Sequence, residues 1–128
     1  MRKPLPLLVA AVLLCSCGRE VKPIQLPPKA DQWILVSQAP QAPDQAPETA
    51  RQLGLLEAVH ADYNGPAPAS VTVYRMRSET VAFELLQKWR RQPATLPFQH
   101  RDLLVVPRSD DSEALQRFAK ALAATMKQ

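Results

Sequence analysis

The hydrophobic period of this chain changes from two to 3.6 at one residue, Ser78, and that change restricts the fold more than any other feature. Between Ser70 and Arg77, Val71, Val73 and Arg75 alternate with Thr72, Tyr74 and Met76. Such alternation puts the two sets on opposite faces of a strand. Beyond Ser78, Val81, Ala82, Leu85, Leu86 and Trp89 form one apolar stripe of a helix, while Glu84, Lys88 and Arg91 belong mainly to the other side. Ser78 is a good N-cap, Glu79 suits the first turn, and Pro93 stops the helix after about Arg91. A strand that feeds an amphipathic helix calls for a mixed architecture, because each element must bury its apolar side against another.

The rest of the chain extends this pattern. Trp33-Ile34-Leu35-Val36 reads as a first strand. Ala39 to Pro47 is a low-complexity loop with three Gln-Ala-Pro pieces. Pro47 opens a short helix, Glu48–Leu53, and Gly54 closes it. From Leu55 to Tyr63 the period is two, with Ala58, His60 and Asp62 on one face. The turn signal Asn64-Gly65-Pro66 joins this run to Ser70–Arg77 as an antiparallel hairpin. Leu96–His100 and the apolar run Leu103–Val106 form a second hairpin about Arg101-Asp102, ended by Pro107. A last helix begins near Ser109 or Asp110, with capping-box spacing from Asp110 to Glu113, and buries Leu115, Phe118, Ala119, Leu122 and Met126. The order β-α-β-β-α-β-β-α predicts an α+β fold. The expected form is a two-layer sandwich: a mainly antiparallel sheet, both amphipathic helices on one face, and the other face partly open. A split βαβ unit suits the middle of the chain.

The N-terminus carries a different signal. Arg2 and Lys3 precede an apolar run, Leu5 to Leu14, which ends in Leu14-Cys15-Ser16-Cys17. Ten apolar residues are too few for a bilayer, which needs about 20. This stretch resembles bacterial lipoprotein signal peptides, in which a large aliphatic residue stands three before the acylated cysteine and a small one directly before it. Leu14 and Ser16 fill those places. A plain secretory signal with an incidental cysteine, or an apolar start of a cytoplasmic chain, are the competing readings. The resemblance implies cleavage before Cys17, diacylglycerol and palmitate on Cys17, and a protein held at the cell envelope. Gly18 in place of Asp implies sorting to the outer membrane, facing the periplasm, in a Gram-negative cell. Residues 1–16 are then a signal peptide, 17–30 a lipidated Pro-rich tether with a reach on the order of 40 Å, and 31–128 a single domain. The mature domain is similar in build to small envelope lipoproteins, without a family-specific motif.

Charge and motifs narrow the function. Sixteen basic and twelve acidic residues become fourteen and twelve once Arg2 and Lys3 are removed, too even a balance to suggest nucleic acid. The three glycines make no phosphate loop, and no Gly-x-Ser-x-Gly or His-Glu-x-x-His motif occurs. Cys15 leaves with the signal and Cys17 is consumed by lipid, so neither thiol chemistry nor a cofactor is expected. His60-x-Asp62 and His100-x-Asp102 repeat one spacing, and neighbouring strands would bring two imidazoles and two carboxylates together as zinc ligands. Chance is the better account of that repeat, and no metal is expected. The basic helix end Lys88, Arg90 and Arg91 could meet anionic headgroups or an anionic polymer, but a solvated helix face, whose cations also suit the C-terminal dipole, is the better account of it. The leading expectation is a non-catalytic binding or assembly module with an envelope protein as partner, engaged through the open sheet face or an edge strand. The second is a small-ligand or metal binder centred on His60, Asp62, Tyr74 and His100.

Overall fold

A computed structural model describes residues 23–127, so the expected signal peptide and Cys17 lie outside the described residues. Among the described residues six strands form one sheet in the order β1-β2-β3-β4-β6-β5, with every neighbouring pair antiparallel. They are β1 (Lys29–Ala30), β2 (Trp33–Pro40), β3 (Glu57–Asn64), β4 (Ala69–Arg75), β5 (Phe98–His100) and β6 (Leu103–Arg108). Among the same residues three α-helices accompany them: α1 (Glu48–Gln52), α2 (Glu79–Lys88) and α3 (Ser112–Met126). The expected α+β class and both hairpins are present, with β1 as an added strand. The β3–β4 hairpin pairs Glu57 with Arg75 and Tyr63 with Ala69. Strands β4 and β5 run in the same direction with β6 between them, and α2 makes the connection, which is a split βαβ arrangement.

The helices do not share one face. Val71, Val73, Leu103 and Val105 pack in one cluster with Phe118 and Leu122 of α3. Their strand neighbours Tyr74, Met76, Leu104 and Val106 pack in a second cluster with Val81, Ala82 and Leu85 of α2 and Ala50 of α1. Successive strand residues point to opposite faces. Helix α3 therefore covers one face, and α1 with α2 covers part of the other. This corrects the expectation of helices on a single face. The physical reason is in β6: an unbroken apolar run such as Leu103–Val106 offers hydrocarbon on both sides, so both sides must be covered.

Helix ends follow local chemistry. The Ser78 hydroxyl accepts a 3.1 Å hydrogen bond from the Val81 amide, as expected of an N-cap. Helix α2 stops at Lys88, short of Arg91, because Trp89 is extended and its ring packs 5.4 Å from that of Tyr74. The cap of α3 is Asp111, whose Oδ1 accepts from the Glu113 and Ala114 amides at 3.0 Å, rather than Ser109 or Asp110. Ser109 is buried instead and donates to the Pro68 carbonyl at 2.9 Å.

Part of the expected tether belongs to the domain. Ile24, Leu26 and Ala30 are buried in the cluster that holds Phe118 and Trp33. The Tyr63 hydroxyl donates to the Pro27 carbonyl at 2.6 Å, the Leu35 amide to Pro28 at 2.9 Å, and the Gln38 side chain to Ile24 at 3.2 Å. The folded part thus begins near Ile24 rather than at residue 31. Six residues, 18–23, separate it from Cys17, and fully extended this link spans at most about 25 Å.

The loop between β3 and β4 is fitted to Trp33. The indole Nε1 donates to the Ala67 carbonyl at 2.9 Å, and a Cβ placed on Gly65 would fall 2.6 Å from indole Cδ1. Gly65→Ala is expected to lower stability by about 1–3 kcal/mol through this overlap. Urea unfolding checks it: the midpoint drops with an unchanged slope, and an unchanged midpoint would show that the loop yields.

Candidate functional site

The second sheet face is covered at its β4–β6 end and bare toward β2 and β3. Cross-strand pairing places Ser37 beside Asp62, Ala39 beside His60, and His60 beside Thr72 on this bare half. Ile34, opposite Asn64, and Val36 at the β2 bulge are both exposed. No helix or loop of the described residues covers them with apolar contacts.

A groove of about 430 Å³ runs along the margin, where the sheet meets the segment after α2. That volume lies within the range of about 300–1,000 Å³ typical of small-molecule sites. Its sheet side is His60, Ser70, Thr72, Tyr74, Val106 and Arg108; its other side is Gln41, Trp89, Gln92 and Thr95. A smaller hollow of about 220 Å³ shares Ser70 and Arg108 and adds Asp62, Ser109 and Asp110. The sequence order explains the juxtaposition. Thr72 and Tyr74 share one parity on β4, and the early end of α2 swings Trp89 back over Tyr74.

The polar groups of the groove are partly engaged. His60 Nδ1 lies 2.9 Å from the Thr72 hydroxyl, and its Nε2 lies 3.5 Å from Asp62. The Ser37 hydroxyl donates to the other Asp62 oxygen at 3.3 Å. Tyr74 is buried beneath Trp89, and burial pushes its phenol up to about 12, so it stays a neutral donor at ordinary pH. Two residues of the lining each carry a buried polar atom without a partner among the described residues: the acceptor Gln41 Oε1 and the donor Trp89 Nε1. Arg108 has no carboxylate within 4.0 Å among the described residues, unlike Arg75, which meets Glu57 at 3.3 Å and Asp102 at 3.8 Å.

Of the residues singled out in the sequence, His60, Asp62 and Tyr74 do gather here. His100 does not. It pairs with Leu103 from the edge strand β5, three strands from β3 and on the α3 face. Asp102 is turned to Arg75. The two His-x-Asp pairs therefore never converge, and among the described residues no group of three His, Cys, Asp or Glu could hold a metal ion. Gln41, Trp89 and Arg108 escaped the sequence reading. Gln41 stands in a stretch read as low complexity, and Trp89 falls on the apolar stripe of its helix. The parity shared by Thr72, Tyr74 and Met76 was the available signal for the second face.

Burial holds the His100 imidazole below its ordinary value, reinforced by the Arg101 and Lys127 cations and opposed by Asp102. The unfolded imidazole therefore takes up a proton first as pH falls. Stability contributed at high pH is lost from the unfolded value of 6.5 downward, toward the lower folded value. His100→Asn is expected to flatten the decline of melting temperature across that window; an unchanged decline would exclude His100 as its source.

Comparison with family models, with curated proteins and with solved structures gives no match. Among the described residues no helix is long and apolar enough to cross a membrane.

Proposed function

We propose that this chain is an envelope lipoprotein, anchored through lipid on Cys17, whose α+β domain is a non-catalytic binding module. Its binding surface is the bare half of the second sheet face together with the groove at its margin. The observation that carries this reading is the covering pattern: α3 covers one face, α1 and α2 cover part of the other, and the half left open borders a concave polar groove. The anchor rests on Leu14-Cys15-Ser16-Cys17 and the basic Arg2 and Lys3 before it. Binding suits the site better than acid–base catalysis. That chemistry needs a His–carboxylate pair held in reach of a bound substrate, whereas the His60 and Asp62 side chains are 44% and 59% exposed. An envelope protein is the partner that exposed Ile34 and Val36 would serve. A small ligand is the second reading, favoured by the unpartnered Gln41 and Trp89 atoms.

The test is photo-crosslinking in the native membrane from position 37 on the bare face and from position 120 on α3, with Cys17→Ser as the unanchored control. A recurrent adduct of defined mass at 37, absent at 120 and lost with the anchor, is expected. Identical adducts from both positions, or none from 37, would reject the surface.

A further inference from the structure

From the lining of the groove we infer that its ligand is a small hydroxylated organic anion, of the sugar-acid or sugar-phosphate class. This deepens the small-ligand reading above and rests on the groove being a binding site, not on the anchor. The charge argument comes first. No carboxylate lines the 430 Å³ groove, whereas Arg108 does, free of any acidic partner within 4.0 Å among the described residues. Asp62 and Asp110 border the adjoining hollow rather than the groove, and Asp62 is already engaged by Ser37 and His60. Trp89 also borders a separate hollow with Lys88 and Arg90, and those two cations do not line the groove. Lys88 is paired with Glu84 at 3.0 Å, and the cation of the groove itself is Arg108. A cation in a concave site that no carboxylate lines draws anions toward it. Arginine also suits carboxylate and phosphate, because its planar fork makes two parallel hydrogen bonds to them.

The neutral groups specify the remainder of the ligand. The buried Trp89 Nε1 can only donate and the buried Gln41 Oε1 can only accept, and each lacks a partner. A buried polar atom without a partner costs about 1–3 kcal/mol, so a molecule that satisfies both atoms once the Gln41 amide and the Trp89 ring turn toward the groove is favoured over one that satisfies neither. Such a molecule must carry an acceptor and a donor at once, as a hydroxylated anion does. The Ser70 and Thr72 hydroxyls and the neutral Tyr74 phenol extend the same donor-and-acceptor surface, and the tilted Tyr74–Trp89 pair offers an apolar wall for a carbon skeleton.

The two tryptophans supply the readout. Trp33 Nε1 is tied to Ala67 in the α3-side core, so its indole N–H resonance is an internal reference for folding, and Trp89 reports the groove. The full chain, purified in non-ionic detergent, is titrated with gluconate and glucose 6-phosphate, with glucose and inorganic phosphate as controls. Saturable movement of the Trp89 indole resonance with gluconate or glucose 6-phosphate is expected, with weaker movement for phosphate, none for glucose, and a still Trp33 resonance. Arg108→Gln, an exposed position, is expected to weaken the response at least tenfold while leaving the Trp33 resonance in place. A motionless Trp89 resonance with both anions, an equal response to glucose, or an undiminished response in Arg108→Gln would overturn the inference. Inorganic phosphate binding as tightly as the hydroxylated anions would remove the sugar-like class. The crosslinking from position 37 fails or succeeds independently of these titrations, so loss of the ligand class and loss of the binding surface are told apart.

Discussion

Replacing Ile24 and Leu26 together by Ala is expected to lower the stability of the domain by about 4–8 kcal/mol. A buried Ile or Leu cut to Ala typically costs about 2–5 kcal/mol, through lost transfer energy and the cavity left behind. Both side chains are almost fully buried against the β2–β3 side of the core that contains Trp33, Tyr63 and Phe118. The segment is also tied by hydrogen bonds from Tyr63, Leu35 and Gln38 to its carbonyls, so it has little freedom to collapse into the gap. Small domains have only about 5–15 kcal/mol in total, so the double variant should unfold at or near ordinary temperature. Thermal and urea unfolding of the full chain provide the measurement. A loss below about 1 kcal/mol would mean that residues 23–30 are a tether after all and that the packing is not maintained in solution.

Phe118→Ala is expected to cost about 3–5 kcal/mol, the largest effect of any single substitution considered. The Phe118 ring is fully buried at the centre of an aromatic trio, 5.4 Å from the Trp33 ring and 5.1 Å from Tyr63. Tilted and edge-on ring pairs at such distances add about 0.5–1.5 kcal/mol beyond area burial. The trio joins α3, β2 and β3, so the loss is not confined to the helix. The Trp33 emission should shift to longer wavelength as water enters beside the indole, while the Trp89 environment stays unchanged. Stability within about 1 kcal/mol of the parent would contradict the central place given to this ring.

Much of the fold could be read from residue periods. The switch at Ser78 located β4 and α2, and the 3.6 period through Leu115, Phe118 and Leu122 located α3, because each element has one dominant apolar side. The distribution of helices could not be read in this way. Periodicity says which side of a helix is buried, not which face of a distant sheet receives it. Only the double-sided apolar character of Leu103–Val106 hinted at cover on both faces. The start of the domain was hidden by Pro23, Pro27 and Pro28. Their presence suggested a linker and drew attention from the i, i+2 spacing of Ile24 and Leu26, which here packs an irregular strand-like segment against the core. Of the candidate site, His60, Asp62 and Tyr74 were legible from β parity within one hairpin. His100 was misplaced because its strand β5 lies outside β6, a matter of strand order that local spacing does not encode. Trp89, Gln41 and Arg108 meet only through the tertiary fold.

The shortened link changes what an anchor would impose. With six residues between Cys17 and the first buried side chain, the domain would stand within about 25 Å of the lipid rather than 40 Å. A module held so close would sample ligands and partners at the membrane surface rather than across the envelope.

The anchor is therefore the claim on which the account turns, and the mass of the N-terminal peptide from protein purified out of its native membrane tests it most directly. The account predicts a peptide that begins at Cys17 and carries the added mass of diacylglycerol and a fatty acyl chain. A peptide that begins at Met1, or a Cys17 that retains its free thiol, would contradict it.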